Sequence, residues 1–507
     1  MILMVVLDNL EKFCKKNKEV LQILGMNVVI LLIFWGGLLH NQYNADTIFY
    51  RYQGAEAACS FRIAEGRFLV VLLYYILPRL GINVATRISL TTFINLLLFA
   101  IAITINYFVL VQDKKVDILK VLCVDLVFIN VFFVEMLMFA EAFFGIAYFF
   151  ASLAILCYCK KKKVGFALSM MCAVCTYQYT AIYVAIILLF VIGIKYSFKI
   201  SKASATESFW ATFWSVFAGF ANIMFVEFLA KIHVLSAEKV NEENHIGGNL
   251  TDKINSIISD TISIFRDCKG LLMGRWFFLL VSLTICMLVL VIFLSVKDWN
   301  RVGYFGILVG VTFLLRILIP SVKADFDNPP RFAFSYFLVQ GLFLLAIYVS
   351  LSSTEFAFSD YFRKWMKVLV SCLIVMYVLL LLLATQDIVN SKYYSKAIDE
   401  TYVRLMYQKV QKYEEETGVS VTKFAGCTDE SYRDAYEEIG PASFAVNERV
   451  LGKATWSIVR DISGREFERI AVPDEVYQAY FAGKDWKEID FDEQLVIIDD
   501  TAYWCIY

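Results

Sequence analysis

Long apolar runs separated by short polar or lysine-rich connections fill most of the first 387 residues. A helix needs about 20 apolar residues to cross roughly 30 Å of hydrocarbon. Runs near that length lie at about 22–39, 88–111, 118–138, 142–159, 164–178, 179–195, 208–231, 274–296, 302–320, 332–351 and 366–386, which predicts eleven membrane-spanning helices. One further run, 68–77, covers ten residues between Arg67 and Pro78-Arg79 and is about half a span.

The basic residues decide how that short run lies. Lys12, Lys15, Lys16 and Lys18 assign the N-terminus to the cytoplasm. If 68–77 does not span, the connections bearing Lys114-Lys115, Lys160 to Lys163, Lys195/Lys199/Lys202, Lys297/Arg301 and Arg363/Lys364/Lys367 are all cytoplasmic. If it spans, all five are external. The run therefore reads as an in-plane helix after the first external loop. The external connections are then 40–87, around 139–141, around 177–180, 232–273, 321–331 and everything after 387.

Beyond 387 the pattern changes. Charge rises, with Glu414-Glu415-Glu416 and Asp499-Asp500, and no span follows. Residues 396–416 read as a helix stopped by Gly418, while 419–424, 495–498 and 503–507 read as strands. The expected fold is an all-α polytopic membrane protein with a small C-terminal extracytoplasmic α/β domain. Its parts are a cytoplasmic N-terminus (1–21), a membrane domain (22–387) and the tail domain (388–507). Cys427 and Cys505 of the tail are candidates for a disulfide, with two thiols an equal alternative.

Composition agrees. The chain is 59% hydrophobic and only 19% charged, and a net charge of −1 without a basic patch excludes nucleic-acid binding. Twelve cysteines follow no metal-ligand spacing. Cys172 and Cys175 fall inside a predicted span and read as small lipid-tolerant residues. No small-residue cleavage site follows the first span, so no cleaved signal is expected.

Charge at a membrane boundary is costly and marks function. The first external loop carries Asp46, Arg51, Glu56, Arg62 and Glu65-Gly66-Arg67. Asp46, just beyond the first span, is suited to take a proton from a hydroxyl nucleophile. It also suits a helix cap, a role compatible with catalysis. Arg67 and Arg331, at external boundaries, are suited to phosphate oxygens through their guanidinium forks; Arg331 also fits an interfacial anchor. Arg62 is assigned the lesser part. Glu141 occupies the short connection after the third span, and Glu135 near it suits either a structural pair or a wet cleft. Tyr177 and Gln178 occupy an external turn. Asp125, Glu227 and Arg316 read as buried structural pairs.

Asn44-Ala45-Asp46 with Gly66-Arg67, the Tyr177-Gln178 turn and Pro329-Pro330-Arg331 before a late span together resemble the GT-C glycosyltransferase architecture, and more narrowly the bacterial serotype-converting glucosyltransferases and their Gram-positive relatives. The resemblance covers roughly residues 20–390 and leaves the tail out. It implies an enzyme that moves a hexose from a polyprenyl-phosphate carrier to a surface glycan on the outer face. Asp46 would match the catalytic carboxylate of the first loop and Glu141 the second acidic position. Arg67 and Arg331 would hold the lipid phosphate, with Glu65, Glu135, Tyr177 and Gln178 near the substrate. The first loop lacks the paired acids of some GT-C families, since Ala45 precedes Asp46. No metal-ligand cluster is visible, so no metal or other cofactor is assumed, with a divalent ion left open. A flippase for a lipid-linked sugar and a glycan polymerase or ligase are the alternatives.

Overall fold

Where no water reaches the backbone, its polar groups must be satisfied within the chain, and apolar sequence meets that demand by coiling into helices. A computed structural model describes residues 17–40, 44, 47, 59, 61–82, 87–111, 116–235, 250–272, 274–295, 297–322, 330–353, 358–428, 450–484, 486 and 490–506. The main helices are α1 (Lys18–Trp35), α2 (Phe68–Ile76), α3 (Ile88–Leu110), α4 (Ile118–Asp125), α5 (Val134–Met138), α6 (Phe144–Cys159), α7 (Lys163–Val174), α8 (Thr180–Lys195), α9 (Lys202–Lys231), α10 (Leu250–Asp267), α11 (Phe277–Ser295), α12 (Trp299–Val322), α13 (Phe334–Ser352), α14 (Asp360–Thr417) and α15 (Val450–Ser463). Among the described residues eight are long and apolar enough to cross a membrane: α1, α3, α6, α9, α11, α12, α13 and α14, some together with a flanking turn. The chain is a helical membrane protein.

Three of the eleven expected spans fall short of that length. The hairpin α7–α8 has helices of only 12 and 16 residues, joined by the turn 175–179. The predicted span 118–138 is broken, because α4 stops at Asp125 and α5 begins only at Val134. Lipid does not tolerate bare backbone, so the break is lined with donors. The Asn130 amide donates to the carbonyls of Leu126 (2.9 Å) and Val127 (2.8 Å), and its Oδ1 accepts from the Phe132 N–H at 3.0 Å. The Trp35 indole N–H donates to the Phe128 carbonyl at 2.8 Å. Helix α2, with nine residues, is about half the length of a span.

Helix α14 runs unbroken for 58 residues, roughly 87 Å at 1.5 Å per residue. It therefore passes through the expected boundary at 387/388 without interruption. The Gln386 amide donates to the Phe34 carbonyl (2.9 Å), which sets residue 386 level with the C-terminal end of α1. Ile388 and Val389, in the next turn, still belong to the bundle core, and α14 leaves it after them. It ends at Gly418, whose φ of 71° is a left-handed cap that favours glycine.

The last turns of α14 pack on a four-stranded sheet made of β1 (Lys423–Thr428), β2 (Glu468–Arg469), β3 (Leu495–Ile498) and β4 (Thr501–Ile506), in the order β2-β1-β4-β3. Only β3–β4 is antiparallel, the tight pair made by the Asp499-Asp500 turn. Phe424, Ile458 and Trp504 form the core there with Val403, Met406 and Val410 of α14. The strand at 419–424 was expected a few residues early. Cys427 and Cys505 are register partners on β1 and β4. Ile88 and Ala140 join this core, so the sheet stands on the membrane face where α3 and α6 begin.

The break at 126–130 gives a test. Asn130→Leu keeps the volume but leaves two buried carbonyls without their donor, a penalty of about 1–3 kcal/mol for each unsatisfied group. Thermal unfolding of the detergent-purified variant should show a clear loss of stability, and Asn130→Asp, which keeps the Oδ1 acceptor for Phe132 but has no amide donor for the two carbonyls, should not restore it.

Candidate functional site

The break in 118–138 turns the chain so that α5 and the following turn Ala140–Ala142 carry two carboxylates, Glu135 and Glu141, to one membrane face. Asn95 of α3 holds this turn by donating to the Ala140 carbonyl (2.9 Å) and accepting from the Gly145 N–H (2.8 Å). Both carboxylates are buried. Asn44 and Thr47, from the loop after α1, are moored here. The Asn44 amide donates to the Met138 carbonyl at 3.0 Å, and its Oδ1 accepts from the Thr47 N–H at 2.8 Å. The Thr47 hydroxyl lies 2.9 Å from Glu141 Oε2. Asp46, between them, lies outside the described residues, as do Arg51, Glu56 and Pro329.

The second part is Arg62-to-Arg67. A single helical turn at 61–64 ends at Gly66, with φ 76°, and Arg67 then starts α2. A Cβ on Gly66 would meet Asn222 Oδ1 at 2.4 Å, so glycine is required twice over, by conformation and by space. Two side chains clamp this turn. Gln178 donates to the Glu65 carbonyl and, at 3.0 Å, to Asn222 Oδ1. The Asn222 amide of α9 in turn donates to the Gly66 carbonyl at 3.0 Å. Tyr74 of α2 donates to the Glu141 carbonyl at 2.9 Å, tying the two parts together.

The charges interlock. Arg62 donates to Glu65 at 2.7 Å and sits 3.8 Å from Glu141. Arg67 reaches the other Glu65 oxygen at 2.9 Å, with its guanidinium over the rings of Phe144 and Tyr177. Arg331, just before α13, approaches Glu135 at 3.5 Å through its side chain, and its backbone N–H donates to the same carboxylate at 2.9 Å. Tyr179 stacks on Phe332 at 3.6 Å and pins the α7–α8 turn to the Arg331 segment. Three arginines and three glutamates thus form one balanced, buried cluster at one end of the bundle. Burial works to raise the Glu65 carboxyl, yet the charges of Arg67, Arg62 and Arg331 outweigh it and hold the group below its ordinary value. The Arg67 Nε, also buried, makes no hydrogen bond among the described residues.

Sequence reasoning named Glu65, Arg67, Glu135, Glu141, Tyr177, Gln178 and Arg331, and the fold brings all seven into this one region. Arg62, given the lesser part in donor use, is buried between Glu65 and Glu141 at the centre of the cluster. Its i,i+3 spacing from Glu65 was the available signal. Asn222 and Thr47 were missed, although an asparagine in the aromatic run of α9 is a polar group in lipid and deserved suspicion. Elsewhere, Arg316 pairs with Asp260 of α10, which Lys269 also contacts at 2.5 Å, as a structural pair should. The pairing expected for Asp125 is not found: its buried carboxylate makes no hydrogen bond among the described residues. No group of three His, Cys, Asp or Glu side chains among the described residues could hold a metal ion.

Comparison with family models, with curated proteins and with solved structures found no match for this chain.

The depressed Glu65 carboxyl has a pH signature. A group whose pKa is lowered on folding adds stability above its unfolded value, and that stability is lost as pH falls through the folded value. Glu65→Gln should therefore unfold at a lower temperature than the native chain at pH 7, by up to roughly 3–5 kcal/mol for a broken buried pair. The difference should narrow as pH drops below the ordinary carboxyl value of 4.5, as read by thermal unfolding of both proteins across that range.

Proposed function

We propose that the chain is a membrane glycosyltransferase that moves a hexose from a polyprenyl-phosphate carrier to a surface glycan at the outer face. The observation that supports this most is the gathering of Arg62, Arg67 and Arg331 with their glutamates at one end of the bundle, next to a loop that carries a further carboxylate. Lys160 to Lys163 and the Lys195–Lys202 turn lie at the opposite ends of α6 and α8. With lysines cytoplasmic, the charged cluster faces out, α2 lies in the membrane plane and the sheet of the tail is extracytoplasmic. On the same reading the short helices α7 and α8 and the broken 118–138 segment complete eleven crossings.

The chemistry is a single displacement. Asp46 takes the proton of an acceptor hydroxyl, whose oxygen attacks the anomeric carbon. The bond from that carbon to the phosphate oxygen breaks, and polyprenyl phosphate leaves. The sugar is inverted. Arg67 offers its unused Nε donor to the phosphate, and Arg331 adds a second cation. Pre-paired arginines need little reorganisation, and their effect grows as water is excluded. Glu141, bonded to Thr47, is the second carboxylate and orients the loop that carries Asp46.

A transporter of lipid-linked sugar is the reading that the interrupted 118–138 segment favours, since broken helices at mid-membrane bind substrates in such proteins. Here, however, Asn130 and Trp35 already occupy the carbonyls of the break. A polymerase or ligase would take a lipid diphosphate instead. Incubating purified protein with polyprenyl-phosphate and polyprenyl-diphosphate sugars plus a cell-surface glycan separates these readings: free polyprenyl monophosphate is the expected product.

Two substitution series follow. Arg67→Ala and Arg331→Ala should each lower donor use about tenfold to a hundredfold, the cost of a charge-assisted contact, whereas Arg79→Ala, exposed against Tyr75, should change little. Asp46→Asn should insert and fold normally yet lose transfer by about 100-fold or more, the scale of general-base catalysis. An Asp46→Asn protein that keeps most of its activity would remove Asp46 from the mechanism.

A further inference from the structure

A groove of about 1370 Å³ runs between α7 and α9, larger than the roughly 300–1,000 Å³ of ordinary ligand pockets. Its walls are apolar: Met170 and Met171 on one side, Trp210, Trp214 and Phe217 on the other, with Ala211 and Ala218 between them. The aromatic wall is ordered, Trp210 stacking with Trp214 and Phe213 with Phe217. At one end the lining changes to Lys161, Lys162 and Lys163.

These lysines form the α6–α7 hairpin and are exposed. The Lys161 N–H donates to the Tyr158 carbonyl (2.9 Å) and the Lys162 N–H to the Cys157 carbonyl (2.8 Å), so the turn that presents them is fixed. None of them is ion-paired among the described residues. Lys195 at the same end is different, being bound to Glu207 at 2.6 Å. The far end of the groove reaches Asn222 and Phe68, with no cation in its lining there. Positive charge thus meets the groove at one end only, at the level where lipid phosphates lie.

We propose that this groove is a binding site for an anionic glycerophospholipid of the lysine-side leaflet, with its phosphate on Lys161–Lys163 and its acyl chains between α7 and α9. The commitment to an anionic headgroup rests on charge complementarity, since each basic residue near an anionic surface adds to the attraction. The commitment to acyl chains rests on the apolar walls. The lysine end of the site lies opposite the Glu141–Arg331 cluster, while its far end reaches Asn222, which clamps the Gly66 turn; the proposal does not depend on the transferase reading.

The test uses the full chain, delipidated in mild detergent and titrated with phosphatidylglycerol or phosphatidylcholine of identical acyl chains, with bound lipid counted by native mass spectrometry. Phosphatidylglycerol should be retained preferentially and raise the unfolding temperature. The triple variant Lys161→Gln, Lys162→Gln, Lys163→Gln should bind it on the order of a hundredfold more weakly while keeping its unfolding temperature in phosphatidylcholine. Ala218→Trp, which fills the groove and leaves the lysines intact, should also lose retention. Equal binding of the two lipids, or retention unchanged in either variant, would overturn the proposal. So would displacement of phosphatidylglycerol by an equimolar polyprenyl phosphate, which would give the groove to the isoprenoid chain instead.

Discussion

A guanidinium cannot shed its proton to escape a dry environment, so a buried arginine must be met by carboxylates. Arg62 is 2% exposed, and its two carboxylate neighbours come from different parts of the chain. Glu65 lies one turn away. Glu141 lies 79 residues on in number, beyond α2, α3, α4 and α5. Bringing Glu141 within reach requires the turn Ala140–Ala142 to sit at this depth, and that follows from the break after Asp125. The unwound backbone of the break must then find donors, which Asn130 and Trp35 supply. One charge that cannot be neutralised thus accounts for much of the irregular structure in an otherwise regular bundle.

The same demand explains why irregularity gathers at one end. The turns at 61–67, 139–143, 175–179 and 330–333 contact one another through Tyr74, Gln178, Asn222 and the Tyr179–Phe332 stack. Each contact joins a side chain to backbone or ring to ring, so the turns hold each other in place without a regular hydrogen-bond ladder. At the lysine-bearing end the hairpins are tighter and are closed mainly by their own backbone. A bundle rigid in its middle and cross-braced at one mouth is a scaffold that can hold several charges at fixed distances.

Hydropathy made most of the fold legible, because a helix exposed to lipid has little choice but to be apolar along its length. It could not reveal the break in 118–138. Val127, Phe128 and Ile129 on either reading are apolar, and what differs is where their carbonyls point. Asp125 and Asn130, polar residues at the two ends of the break in a run of hydrophobic ones, carried a trace of it. The run 164–178 overran the end of α7 at Val174 for a related reason: Thr176, Tyr177 and Gln178 form a turn that packs against the charge cluster, and a hydropathy window averages such a turn into its neighbours. Glu65, Arg67, Glu141 and Arg331 were legible as charges at boundaries, where sequence position alone implies proximity to one face. Arg62 was not, because its importance comes from Glu141, a partner that only the tertiary fold supplies.

The tail bears on the site through geometry. Helix α14 leaves the bundle and carries the sheet to the face where Ile88 and Ala140 enter its core. Ala140 precedes Glu141, and Asn95, about two helical turns beyond the start of α3, grips the same turn. Any displacement of the sheet would therefore bear on the segment that moors Thr47 and Arg62. Helix α14 itself is braced by Arg465, which binds Glu414 through both carboxylate oxygens and donates to the Val421 carbonyl at 2.7 Å. A fork held on three acceptors fixes the sheet against the helix end. The sheet is thus coupled by packing to the buried carboxylate at the centre of the charge cluster, and its sequence is constrained from the bundle side as well as by its own core.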